Sequence, residues 1–125
     1  MEPSVWIGLL AAMIAVESPK TTKQAQAAIV REGAYGPLQI RRGCLIDVNE
    51  FCGTNYTLED MIHESLARWV CIQYAKRYKE KSPEEVARLW NGGPEWRKAG
   101  PKKKRRLDIY WKKVSQEWEE NRGRE

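Results

Sequence analysis

Thirteen consecutive residues, Ser4 to Val16, carry no charge, and the run ends at Glu17-Ser18-Pro19. A stretch that is apolar on every side reads as a buried helix, not an amphipathic surface one. Pro3 suits its first turn, where a missing N–H goes unnoticed. Pro19 stops it, because the residue before a proline is driven out of the α region. Glu17 therefore falls in the last turn of a buried helix. The helix dipole puts partial negative charge there, and most sequences place Lys or Arg in that turn. Dipole and desolvation both act to raise the carboxyl pKa and favour the protonated form. A carboxylic acid kept neutral near pH 7 is the proton donor that glycoside cleavage requires. The competing reading is a helix-end Glu that simply reaches solvent.

Composition narrows the classes. At 125 residues, 42% hydrophobic and 31% charged, the chain is expected to fold as one soluble globular domain over residues 1–118, with a polar, frayed tail over 119–125. The N-terminal apolar run is too short to span a bilayer, so no membrane span is expected. It lacks a basic leader and a small-residue cleavage site, so no signal peptide is visible. On that reading the protein is made in the cytoplasm and meets its substrate after release or delivery. The net charge of +5 is local: Arg97 to Arg106 hold seven positive charges and no negative ones, and the remainder sums to −2. Cys44, Cys52 and Cys71 form no C-x-x-C pair and are read as mostly buried thiols. With His63 as the single histidine, His-based metal sites and Ser-His-Asp chemistry are disfavoured. No metal or cofactor is expected, and carboxylate chemistry remains.

Along the chain, Lys20 to Gln26 is polar, and Gly33 to Ile40 carries two glycines and a proline within five residues. A small β or irregular segment is expected between residues 19 and 42. Arg42 to Phe51 reads as a short helix ended by Gly53. Thr57-Leu58-Glu59-Asp60 resembles a capping box and is expected to open a long helix reaching about Glu80. Ser82-Pro83-Glu84-Glu85 is a stronger start signal, and its helix stops at Gly92-Gly93-Pro94. The basic run then reads as a loop, and Leu107, Tyr110, Trp111, Val114 and Trp118 mark a last amphipathic helix. The expected class is mainly α, with about five helices.

Four segments in order carry a resemblance: Glu17-Ser18, Gly36-Pro37-Leu38-Gln39-Ile40, Ala87 to Pro94 (Ala-Arg-Leu-Trp-Asn-Gly-Gly-Pro) and Tyr110 to Val114 (Tyr-Trp-Lys-Lys-Val). The pattern resembles the lysozyme-like superfamily, in particular invertebrate-type lysozymes and the soluble lytic transglycosylase and goose-type lysozyme group. The resemblance implies an α+β lysozyme-like fold, with its helices around a cleft. It implies cleavage of the β-1,4 bond between N-acetylmuramic acid and N-acetylglucosamine in peptidoglycan or a chito-oligosaccharide. Glu17 would be the general acid and Ser18 its neighbour in the site. Gln39 and Asn91 would bind sugar and acetamido groups, and Tyr110 would stand near the acid. Amide side chains both donate and accept, as sugar hydroxyls require, and glycines such as Gly92 let backbone approach a ligand. Trp90 and Trp96 offer flat faces to sugars, against a core place for Trp90 and a loop place for Trp96. The sequence departs from the pattern at Pro19-Lys20, where glycines are usual, at Trp90, where Tyr or His is commoner, and in lacking a disulfide framework. The second acid of invertebrate-type enzymes has no clear counterpart; Glu32 is the nearest candidate.

Three other readings stand beside the lysozyme one: a lytic transglycosylase leaving 1,6-anhydro ends, a binding module without chemistry, and a nucleic-acid-binding protein acting through residues 97–106. The last is disfavoured because the run lacks interleaved aromatics. An anionic cell-wall surface is the expected partner of that patch, and a monomer the expected state.

Overall fold

The computed structural model describes residues 1–122 and is mainly helical, with six α-helices among the described residues and an isolated antiparallel bridge, Tyr35 to Ile40, in place of a sheet. The helices are α1 (Pro3–Glu17), α2 (Thr22–Glu32), α3 (Arg42–Cys52), α4 (Glu64–Arg77), α5 (Pro83–Gly92) and α6 (Pro101–Arg122). Short 3-10 turns cover Glu59–Ile62 and Trp96–Lys98. No described helix is long and apolar enough to cross a membrane.

The span read as one domain divides into two compact units. The first comprises Met1–Val16 with Tyr78–Glu125, the second Glu17–Arg77. In the first, Val86, Ala87 and Leu89 of α5 and Leu107, Tyr110 and Val114 of α6 are buried, and these two helices pack together. Leu9, Leu10, Ala12 and Met13 of α1 are buried too. Ile7 is 66% exposed, so α1 is not covered on every side. In the second unit α3 packs on α4, and α4 on the 3-10 turn before it. Leu45, Val48, Met61, Val70 and Cys71 are buried there.

The structure departs from the sequence reading at four places. Residues 22–32, taken as polar chain leading into an irregular segment, form α2. Thr21 caps it by accepting from the Gln24 N–H at 3.1 Å, and Gly33 ends it at φ 62°. None of its residues is buried, and its caps mark its ends. The Thr57–Asp60 capping box exists, with Asp60 Oδ2 accepting from Thr57 N–H at 2.8 Å. It opens the 3-10 turn, though, and the extended backbone of His63 separates that turn from α4. α4 stops at Arg77, before Lys79 at φ 57°. Lys102 to Arg106 are helix, not loop: Pro101 starts α6, and Lys and Arg are good helix formers. α6 also runs through Glu119 to Arg122, where a frayed tail was expected; residues 123–125 of that tail lie outside the described residues.

Candidate functional site

Glu17 is the last residue of α1 and is half-buried; Ser18 follows in a bend. α1 has no basic residue in its last turn. By its contacts Glu17 belongs to the second unit, with the buried Cys71. Burial pushes the Cys71 thiol well above its ordinary value of 9.0, and negative charge at Cys44 and Glu17 pushes it further. The Cys44 thiol is raised to about 12, first by burial and then by Asp47. Both thiols stay protonated at neutral pH, so neither is a nucleophile, and both supply weakly polar surroundings. All three cysteines are free, as expected of reduced thiols.

The turn at Gly36 to Ile40 is fixed by backbone. Tyr35 and Ile40 exchange N–H···O bonds of 2.9 and 3.0 Å, and Gln39 donates its main-chain N–H to Gly36 O at 3.1 Å. Gly36 lies at φ 77°, and a Cβ there would sit 1.9 Å from the Met61 carbonyl oxygen. Only glycine satisfies both demands. Gln39 itself has φ 55°, a left-handed conformation uncommon for a residue with a side chain. Its Nε2 donates to Gly36 O at 2.9 Å, which leaves the amide oxygen to accept from a ligand. Glu32 is exposed at the C-terminal end of α2.

Trp90, Asn91, Gly92, Trp96 and Tyr110 belong to the first unit. Asn91 lies in the last turn of α5, and its Oδ1 is buried without a hydrogen-bond partner among the described residues. A buried, unsatisfied acceptor costs stability, and such groups are rare outside functional positions. Gly92 is tightly packed: an added Cβ would meet Leu107 and the Trp96 Cβ at 2.9 Å. Trp90 is half-buried and Tyr110 is buried on α6. Trp96 is committed to a structural clamp. Its indole N–H donates to Glu80 Oε2 at 2.6 Å, and the Arg97 guanidinium stacks over its ring at 4.1 Å. The Glu80 side chain is only 2% exposed and is also paired with Arg97 at 2.9 Å. Trp96 thus has a full structural account without a sugar.

The sequence reading missed Glu80 because its partners lie sixteen and seventeen residues away, beyond any local pattern. It also missed Arg88, which bridges Glu84 and Asp108 at 2.9 and 2.8 Å and ties α5 to α6. The i,i+4 spacing of Glu84 and Arg88 was available as a signal. Trp111 and Trp118, read as core markers, are half-buried and line a groove of about 370 Å³ beside Ser82-Pro83-Glu84. The resemblance-derived residues thus fall into two groups: Glu17, Ser18, Glu32 and Gln39 in one unit, and Trp90, Asn91, Gly92, Trp96 and Tyr110 in the other. No protein-family model, no curated protein and no solved structure matches this chain.

Proposed function

We propose that this protein is a muramidase that cleaves the β-1,4 bond of peptidoglycan, with Glu17 as the general acid. The observation that carries the reading is the place of Glu17: a half-buried carboxyl that ends an apolar helix whose last turn holds no basic residue. The negative end of a helix dipole favours a protonated carboxyl, which is the form that donates to a leaving glycosidic oxygen. One amide of the same unit supports the reading: Gln39 donates its Nε2 to Gly36 O at 2.9 Å and keeps its oxygen for a ligand. The resemblance of four ordered segments to lysozyme-like enzymes points to the same substrate.

The proposed step begins with transfer of the Glu17 proton to the bridging oxygen. The C1–O bond breaks, and its electron pair leaves with the protonated alcohol. In the hydrolytic form, Glu32 as the second carboxylate stabilises the cation at C1, water adds to C1, and its proton passes to the carboxylate left on Glu17. The exposure of Glu32 at the end of α2 favours a second reading, in which Glu17 acts alone. The muramic 6-hydroxyl then closes on C1 and gives its proton to the Glu17 carboxylate, leaving a 1,6-anhydro end. Mass spectrometry of muropeptides released from purified peptidoglycan tests both. Products with reducing muramic ends support hydrolysis, and products lighter by one water support the lytic transglycosylase. Intact glycan after prolonged incubation, with the protein shown to be folded, overturns the enzymatic reading.

A further inference from the structure

The basic run does not act as one patch. Arg97 is taken up by Glu80 and Glu85 at 2.9 and 2.7 Å, and Lys98 pairs with Glu95 at 3.0 Å. What remains is organised by α6. With 3.6 residues per turn, Lys102, Arg105, Arg106, Ile109, Lys112 and Lys113 stand at i, i+3, i+4, i+7, i+10 and i+11, on a single helix face. That face points away from the buried Leu107, Tyr110 and Val114, and all six residues are exposed. None of the five cations has an ion pair among the described residues. The adjacent acid, Asp108, is already held by Arg88 at 2.8 Å. Lys112 and Lys113 come from outside the run that the sequence singled out, and only the helix brings them into line with it.

The stripe spans about 16 Å, since each helical residue rises 1.5 Å. Two cations of its C-terminal end and three of its N-terminal end flank Ile109, which is 57% exposed. A shallow depression of about 670 Å³ runs from Gly100-Pro101 past Arg105 to Ile109. Five uncompensated cations in a row attract a linear polyanion, and the apolar residue among them suits a carbon-rich linker between the anionic groups. No aromatic side chain lies among these six positions to stack on a base, which disfavours single-stranded nucleic acid.

We propose that this outer face of α6 docks a phosphodiester polymer attached to the bacterial cell wall, holding the protein on its substrate. The choice of the wall polymer rests on the muramidase reading; the polyanion chemistry rests on the stripe alone.

The test uses the full chain with Glu17→Gln, so that walls are not digested while binding is measured. Co-sedimentation is run with purified walls carrying a polyol-phosphate polymer, with the same walls after hydrofluoric-acid removal of that polymer, and with duplex DNA in a separate retention assay. A second protein adds K102Q, R105Q, R106Q, K112Q and K113Q, and circular dichroism and melting confirm its fold. The stripe is expected to bind polymer-bearing walls roughly tenfold or more tightly than stripped walls at low salt, with affinity falling steeply as salt rises. The five-fold variant is expected to lose that preference. Equal binding to both walls, an unchanged five-fold variant, or tighter retention on DNA than on polymer-bearing walls overturns the proposal. Because binding is read apart from cleavage, docking of the Glu17→Gln protein through the stripe together with no muropeptide release by the wild type refutes the enzymatic reading and leaves the stripe standing. One that cleaves glycan but ignores the polymer does the reverse.

Discussion

The two compact units differ in where they are most tightly constrained. In the Glu17–Arg77 unit it is packing, with Gly36 against the Met61 carbonyl and two buried thiols; its ion pairs, Arg77 to Asp47 at 2.6 Å and Arg68 to Glu64 at 3.0 Å, are separate. In the other unit an apolar core is joined by a linked charge network, with Glu80, Glu84, Glu85 and Asp108 each bound to Arg88 or Arg97. The difference is clearest in their acids. Glu80 is almost fully buried, but it receives an indole N–H and a guanidinium, so its job is structural. Glu17 ends an apolar helix whose last turn holds no basic residue. A buried acid that receives an indole N–H and a guanidinium builds a fold; an acid at a helix C-terminus is the candidate proton donor of the proposed function.

The largest expected effect is in the packed unit. Gly36→Ala adds a Cβ against backbone that has no flexible end to move, and it does so at φ 77°. A loss of about 3 kcal/mol or more is expected in chemical denaturation. Gly92→Ala has no left-handed backbone to strain and meets Leu107 Cδ2, which can shift, and the Trp96 Cβ, which is fixed, so its loss is expected to be smaller but real. Equal losses from the two would remove this distinction.

In the charged unit, Glu80→Ala leaves the Trp96 N–H without its acceptor and is expected to cost about 2–3 kcal/mol. Muramidase rate per folded molecule should stay near that of the wild type. A variant that folds as well as wild type but loses its rate would move Glu80 from structure to catalysis.

The two units should also respond to opposite ends of the pH scale. Cys71 and Cys44 have folded pKa values above the unfolded value of 9.0. Their contribution is fully present below pH 9 and is lost as pH rises above it, for Cys44 toward about 12, at up to about 1.4 kcal/mol per pH unit for each thiol. Cys44 keeps some exposed surface, so Cys71 is the larger contributor. Cys71→Ala should flatten the alkaline fall of the melting temperature. An equally steep fall in that variant would assign alkaline loss to other groups. On the acid side, Glu85 is lowered below 4.5, chiefly by the Lys81 backbone N–H bond, with Ser82 and Arg97 adding to it. Its contribution is present above about pH 4.5 and is lost as pH falls through the folded value. Because the side chain is 35% exposed, solvent screening makes this the smallest of the effects. Glu85→Gln should soften the acid limb slightly and leave the alkaline limb unchanged.

What was legible in the sequence followed local rules. Pro3 and Pro19 bounded α1. Ser82, Pro83 and Glu85 announced α5, whose capping box forms with Ser82 Oγ accepting from the Glu85 N–H at 3.2 Å. α2 was passed over because Lys20 to Gln26 is polar and two glycines and a proline follow at once, although Thr21 and Gly33 mark its ends. The start of α6 was hidden because a run of five cations reads as solvated chain, and Pro101 was taken as a loop residue. The candidate site divides in the same way. Glu17 was singled out from its helix position, and Gln39 and Asn91 from the resemblance. The clamp on Trp96 and the cationic face of α6 depend on residues brought together by folding.

The most direct test of the central claim compares wild type with Glu17→Gln on a cell-wall suspension, with melting temperatures measured alongside. The amide matches the acid in shape but has no proton to give. The account predicts an unchanged fold and a fall in turbidity-clearing rate of about 10²–10⁴-fold, the usual worth of a general acid. A correctly folded Glu17→Gln protein that keeps more than about a tenth of the wild-type rate would contradict it, since that loss is well below the contribution of a general acid.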